Sequence, residues 1–415
     1  MYFMYSVNKK GEGIIPKGTT VIEETAFTER KELLSIEIPA PVTEIYGYPF
    51  DGCVNIKSIK VSPDNKVYDS REDCNAIIET ESNTLIVGCA ASKIPEGVTT
   101  IGRGAFDGCV GLKSIEIPAS VRVIEGFAFC GSGIEQLELP PSVEVIGEAA
   151  FQECPRLKSV IFPASVKVID GSFYDCPKLE SVEILSSDVE IKDGAFEDCP
   201  ALKTVKMPYI KEYHGCFSDC PKLTNVEMPS VEVIGDNAFK GQTKLKDLMF
   251  PNLLEVGEGA FKGCTGLTNI MMPSVVEIKS GAFYGCTKLK EIEMSSVQEV
   301  GESAFAGCTA LESVELPSLE AIGDEAFGGC SRLRSVKVSS NKEEIMGSPF
   351  AGCGNLTSFE LLTAEHGDEL NDYGLFENHK LKEIIVPAGT GKHFRKKARE
   401  WYMDNLIVER KLKKK

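Results

Sequence analysis

Histidine and tryptophan are scarce in this chain, with four His and one Trp among 415 residues. No two of His214, His366, His379 and His393 are close in sequence, so histidine-based acid–base catalysis has little to work with. No apolar stretch approaches the 18 or so residues that a membrane helix needs, and no membrane insertion is expected. The amino terminus, Met-Tyr-Phe-Met-Tyr-Ser-Val-Asn-Lys-Lys, lacks a basic region followed by a long apolar core and a small-residue cleavage site. If that lack is genuine the chain is cytoplasmic; a removed leader or unconventional export would leave the same sequence. Gly102-Arg-Gly104 and Gly257-Glu-Gly259 start like a dinucleotide fingerprint. In both, the third glycine (Gly108, Gly263) comes one position too late. A nucleophile elbow and a zinc-protease motif are both missing. The reading is of a non-enzyme without cofactor or metal.

Charge is plentiful but unequal. The formal net charge is −17. Residues 391–415 hold ten Lys/Arg and three Asp/Glu, a net of +7, which leaves −24 on residues 1–390. So acidic a surface repels nucleic acid and anionic membrane, and any charged partner is expected to be basic. The tail Lys411-Leu-Lys-Lys-Lys415 reads as a solvated end.

What the sequence has in abundance is one period. Phe27, Phe50, Phe106, Phe129, Phe151, Phe173, Phe196, Phe217, Phe239, Phe261, Phe283, Phe305, Phe327, Phe350 and Phe376 recur at near-constant spacing, and every step from Phe217 to Phe327 is 22 residues. A fixed period in this range marks a solenoid whose coils bury their apolar faces only against each other. From Phe261 to Phe283 the pattern reads F-x-x-C-x-x-L-x-x-I-x-φ-P-x-V-x-x-I-x-x-G-A-F, where φ is apolar. Alternation at Ile270-Met271-Met272 predicts a short strand with Ile270 and Met272 inward. Pro273 ends it, because proline cannot donate to a ladder. Val275 or Val276 and Ile278 form a second extended stretch, and Gly-Ala-Phe-x-x-Cys fits a helical turn.

The repeated "AF..C..L..I.IP.SV..IG..AF", as at 149–169 and 304–327, closely resembles the BspA-like, or Treponema pallidum-type, leucine-rich repeats. The resemblance implies a leucine-rich-repeat solenoid: stacked coils of about 22 residues, a parallel β-sheet on one face, and short helical turns or extended segments on the other. It also implies protein binding, often at a microbial surface as an adhesion or interaction protein, and no enzyme activity. The alternatives are a cytosolic interaction scaffold and a carbohydrate- or cation-binding surface. The repeat array is expected over 13–390, after an N-terminal capping segment 1–12 in which Tyr2, Phe3, Met4 and Tyr5 cover the first coil. The 56-residue step from Phe50 to Phe106 contains one repeat plus a β-hairpin insertion at about 63–95. Residues 391–415 read as a helical cap with a basic tail, Phe394, Ala398 and Trp401 sharing one helix face.

Of fifteen cysteines, eleven follow a repeat phenylalanine by three residues. One thiol per coil gives a line rather than a convergent ligand set, and suits a buried column that helps satisfy turn carbonyls. His214-Gly-Cys216-Phe-Ser-Asp-Cys220 looks like a ligand cluster, but its cysteines fall at ordinary repeat positions. Cys74 and Cys89 are expected to oppose one another across the hairpin and form a candidate disulfide.

The outward position of each strand is Glu in eight coils, a candidate acidic stripe. Stacking Glu116 on Glu138, or Glu293 on Glu315, carries a repulsion of about 1 kcal/mol in water. Met249 and Met271 interrupt the stripe on adjacent coils. An apolar centre with a polar rim is how a protein-binding hot spot is built. Asp247, Met249, Asn269, Met271, Glu293 and Glu315 are therefore the candidate partner-binding residues.

Overall fold

The computed structural model describes residues 4–192, 194–217, 219–339, 344–345, 347–362, 380–399 and 402–410. Tyr2, Phe3, His366, Phe376, His379, Trp401 and the Lys411–Lys415 tail lie outside the described residues. The chain winds, over its described residues, as a parallel β-solenoid with about 22 residues to a turn and little helix. It divides into two compact units, Met1–Lys206 with Cys216–Cys220, and Met207–Gly215 with Pro221–Lys415. Both are built from the same coil.

The alternating segment before each proline forms the first strand of a coil. In the first unit Ser159–Phe162 pairs in parallel with Ser181–Ile184, Val160 opposite Val182 and Phe162 opposite Ile184. In the second unit Asn269–Met271 lies between Asp247–Met249 and Glu291–Glu293. Because side chains alternate between faces, Ile270 and Met272 are buried while Met271 points outward. The returning stretch is a two-residue strand, such as Val168–Ile169 or Glu277–Ile278, with isoleucine inward. These short strands stack in register into a second parallel ladder, for example Glu277 beside Glu299 and Ile278 beside Val300.

The turn after Gly-Ala-Phe stops after one hydrogen-bonded turn. Cys286 N donates to Phe283 O at 3.1 Å, but Gly281 and Gly285 on either side have φ of +61° and +73°. Left-handed residues at both ends prevent helix propagation. The phenylalanine N–H bonds instead to the adjacent coil: Phe261 N to Ala282 O and Phe283 N to Ala304 O, both at 2.7 Å. The third side of the coil is thus a ladder of turns.

Inside it the rings stack. Phe261–Phe283 and Phe283–Phe305 have centroids 5.0 Å apart and planes within 4° of parallel. That separation follows the strand spacing of about 4.7–4.9 Å, so the ladders and the ring column share one repeat. Behind the rings run the thiols. Ten of the eleven column cysteines donate Sγ–H to the phenylalanine carbonyl of the preceding coil at 2.9 to 3.3 Å. That carbonyl also accepts the amide of its own turn, as Phe261 O does from Cys264 N at 3.0 Å. The thiol thereby supplies a second donor to an otherwise buried oxygen.

The exception, Cys109, follows the irregular coil. Here Gly88 stands in the ring position and bonds Ala105 O at 2.7 Å, as a repeat phenylalanine would. A Cβ on Gly88 would lie 2.1 Å from Phe106 Cε1, so the Phe106 ring occupies the space left by the missing side chain. A cavity of about 60 Å³ lined by Phe50, Cys53, Ile86, Gly88, Cys89 and Cys109 marks the break in the column. The chain reaches Gly88 through antiparallel strands Ile77–Glu79 and Thr84–Val87, the second of which joins the parallel ladder beside Thr100–Ile101.

At the start of the array Tyr5 N bonds Ala26 O at 2.7 Å and its ring meets Phe27 edge-on at 5.4 Å, completing the column. At the other end the helix Gly391–Ala398 buries Phe394 and Ala398, and Ile407–Arg410 adds a further strand beside Glu383–Pro387. The sequence reading missed that last strand, which lies beyond the repeat pattern.

Two outcomes follow from this packing. Phe283→Ala removes a fully buried ring that stacks on both sides, and is expected to lower stability by about 3–5 kcal/mol, read from urea unfolding. Burial pushes the thiols of Cys109, Cys199 and Cys220 each up to about 12. The unfolded thiol ionises near pH 8.5, so their contribution is intact below that pH and is lost progressively as pH rises toward the folded values. Urea midpoints should therefore fall steeply between about pH 9 and 11. An alkaline-insensitive midpoint would contradict the buried column.

Candidate functional site

The strand alternation that buries Leu248 and Ile270 turns Met249 and Met271 outward, 62% and 46% exposed. The ladder sets them directly side by side and places Asp247 beside Asn269. Asn269 Nδ2 donates to Asp247 Oδ1 at 2.5 Å, and Thr268 Oγ1 donates to the same oxygen at 2.8 Å. Both bonds fix the polar edge of the patch. On the third strand Glu291 stands beside Asn269 and Glu293 beside Met271. The three strands floor a shallow groove of about 470 Å³, apolar along its centre and acidic on the Glu291–Glu293 side. Unpaired methionines offer a polarisable surface that adapts to its partner.

Five of the six sequence-derived residues thus meet on one three-stranded sheet. Glu315 does not join them. Its strand, Ser313–Leu316, belongs to a different sheet and pairs with Ser335–Val338. There Glu315 faces Lys337 and forms an ion pair with it, a hydrogen bond that raises the lysine pKa. Glu291, which sequence reasoning passed over, takes its place in the acidic rim. It lies on the outward face because Glu291 and Glu293 flank the inward Ile292, a period-2 signal available in the sequence.

The acidic stripe is less continuous than the bare sequence implies. Glu37 stands beside Lys60, Glu183 between Ile161 and Lys206, and Lys337 between Glu315 and Glu360. The two anticipated Glu–Glu stacks fall at interruptions of the sheet. Among the described residues no ladder joins Glu293 to Glu315, and none joins Glu116 to Glu138. A denser acidic surface lies on the other ladder. Glu255, Glu277 and Glu299 stack there in register, and Glu277 and Glu299 border a groove of about 730 Å³ together with Asp236, Glu258, Glu302 and Asp324. Only Lys279 among the groove's lining residues is basic, and its Nζ lies 2.5 Å from Glu255 Oε1.

Cys74 and Cys89 are free, buried thiols with separate partners. The hairpin pairs Ile78 with Leu85, but a bulge shifts the register so that Ile77 faces Val87. Carried onward, that shift sets Asn75, not Cys74, against Cys89. Asn75 Nδ2 indeed donates to Cys89 Sγ at 3.2 Å, while Cys74 Sγ donates to Ala76 O at 3.8 Å. His214 approaches Glu212 rather than the buried Cys216 and Cys220, its Nε2 lying 3.4 Å from Glu212 Oε2. Among the described residues no three His, Cys, Asp or Glu side chains converge as metal ligands would. No described helix is long and apolar enough to cross a membrane.

The BspA type leucine rich repeat region, in six copies, matches residues 2–80, 88–203, 168–286, 209–318 and 276–398. A leucine-rich repeat protein from Bacteroides ovatus is similar along 99% of this chain and 98% of its own, at 23% identity and a TM-score of 0.53. A leucine rich cell surface protein from Faecalibacterium prausnitzii is 20% identical over 87% of this chain and 93% of its own, with a TM-score of 0.29. The T. pallidum leucine rich repeat protein is 22% identical over 59% of this chain and 86% of its own, with a TM-score of 0.24. No curated protein matches the chain significantly in sequence. Leucine-rich repeat proteins are generally non-enzymatic. Stacked rings, a thiol column and a family match over nearly the whole length lead to one assignment: the chain belongs to the BspA-type leucine-rich repeat family.

Proposed function

We propose that this protein is a non-catalytic binding solenoid that holds a protein partner on the sheet face around Met249 and Met271, in the manner of a bacterial adhesion or interaction protein. The observation that carries the reading is the pair of outward methionines set in register on adjacent strands, 62% and 46% exposed, with acidic side chains at their edge. Water gains by losing contact with an apolar centre of this kind, and the acidic rim favours a partner whose contact surface is basic. Adhesion at a microbial surface is what the repeat family implies; the partner itself is defined here only by that chemistry.

Two experiments test the reading. Protease treatment of intact source cells should digest the protein without lysis, whereas protection until lysis would sink the adhesin assignment and leave an internal scaffold. With a captured partner in hand, Met249→Asp with Met271→Asp should weaken binding by at least about tenfold while the unfolding midpoint stays near wild type, since both side chains are already in water. Full affinity in that double variant would remove this face from the interface.

A further inference from the structure

The pentapeptide Ser-Ile-Glu-Ile-Pro occurs twice, at 35–39 and at 114–118. At the first it forms the strand Ser35–Ile38, paired residue by residue with Ser58–Val61. At the second, Ser114–Ile117 makes no backbone hydrogen bond to either neighbouring coil, although Glu135 N still reaches Lys113 O at 3.0 Å just before it. Local propensity is identical, so the difference lies in the neighbours. The preceding coil runs from Cys89 to Pro95, six residues, where the coil of the second copy takes nine from Cys109 to Pro118. The three missing residues are those that would make the strand.

The result is a notch of about 930 Å³ in this face of the first unit, bordered by Glu72, Lys93, Glu96, Glu116 and Glu138 among others. One side of it is closed. The Asn75 side chain imitates a peptide group against Ser58–Val61, accepting from Ile59 N at 2.6 Å and donating to Lys57 O at 2.9 Å. The other side is open, and Ile115 there is partly exposed where its counterpart Ile36 is buried. Unpaired N–H and C=O groups in a row form a template for an added strand. The notch also carries four glutamates against one lysine, and neither Glu116 nor Glu138 has an ion-pair partner among the described residues.

We propose that this notch is a strand-addition site: an extended, lysine- or arginine-bearing peptide segment of a partner protein pairs its backbone with Ser114–Ile117 and sets its cationic side chains among Glu96, Glu116 and Glu138. The site is separate from the methionine face and stands independently of it.

A blocked hexapeptide of alternating valine and lysine, labelled for fluorescence anisotropy, is the probe. It should bind the full chain saturably and slow amide exchange across residues 112–118. Methylating alternate backbone nitrogens of the peptide keeps its charge but removes its ladder donors, and should weaken binding at least about tenfold. Glu116→Lys with Glu138→Lys should weaken the unmethylated peptide by a similar factor, an effect that shrinks in high salt. Equal affinity for the methylated and unmethylated peptides would reduce the contact to charge alone and overturn the proposal. So would the absence of saturable binding up to about 1 mM, or a dimer of this chain that the peptide dissociates, which would give the notch to a second copy. The peptide comparison uses only wild-type protein, so a misfolded variant does not leave the question open.

Discussion

Everything in this protein depends on two spacings being equal. Parallel strands sit about 4.7–4.9 Å apart, and stacked phenyl rings are content at 5.0 Å. A chain that returns its phenylalanine every 22 residues can therefore satisfy backbone ladders and ring packing with one translation. The thiols exploit the same repeat. Ten of the eleven cysteines three residues past a ring meet the carbonyl of the ring one coil back, and are small enough to be buried there. Because contacts run only between neighbours, a local defect remains local. Gly88 interrupts the ring column, yet the stack resumes from Phe106 to Phe129 at 5.0 Å with planes 2° apart.

The outward face follows a different logic. Inward residues repeat because the core demands it, whereas outward residues are constrained only by what lies beside them. Where opposite charges fall in register, as Glu37 with Lys60 and Glu315 with Lys337, the ladder is intact. Where two glutamates would stack at Glu116 and Glu138 or at Glu293 and Glu315, the first-strand ladder is absent. A repulsion of about 1 kcal/mol is comparable with the net worth of a backbone hydrogen bond, so the balance can be tipped at a strand of two to four residues. Repulsion alone does not decide it, since Glu255, Glu277 and Glu299 stack on the other ladder with Lys279 bridging to Glu255. These interruptions matter for binding, because they set where the face is flat and paired and where it opens.

Much of the candidate site is legible in the sequence. Alternation about Leu248 and Ile270 sends Met249 and Met271 to one face, and equal repeat length sets them side by side. Glu315 was misplaced in that group because a periodic sequence carries no sign that a ladder has stopped. The Cys74–Cys89 pairing failed for a related reason. A single-residue bulge changes every partner beyond it, and nothing in Ile77-Ile78-Glu79 announces one.

The sequence by itself determined the coil, its repeat, the identity of the buried columns and the chain's family, because each rests on a period that burial enforces at every turn. Tertiary structure alone decided what Ser-Ile-Glu-Ile-Pro becomes. The same five residues make a paired strand at Ser35–Ile38 and an unpaired edge at Ser114–Ile117. A strand is not a property of its own residues. Its hydrogen bonds belong to the coil next door, and a coil three residues short has none to give.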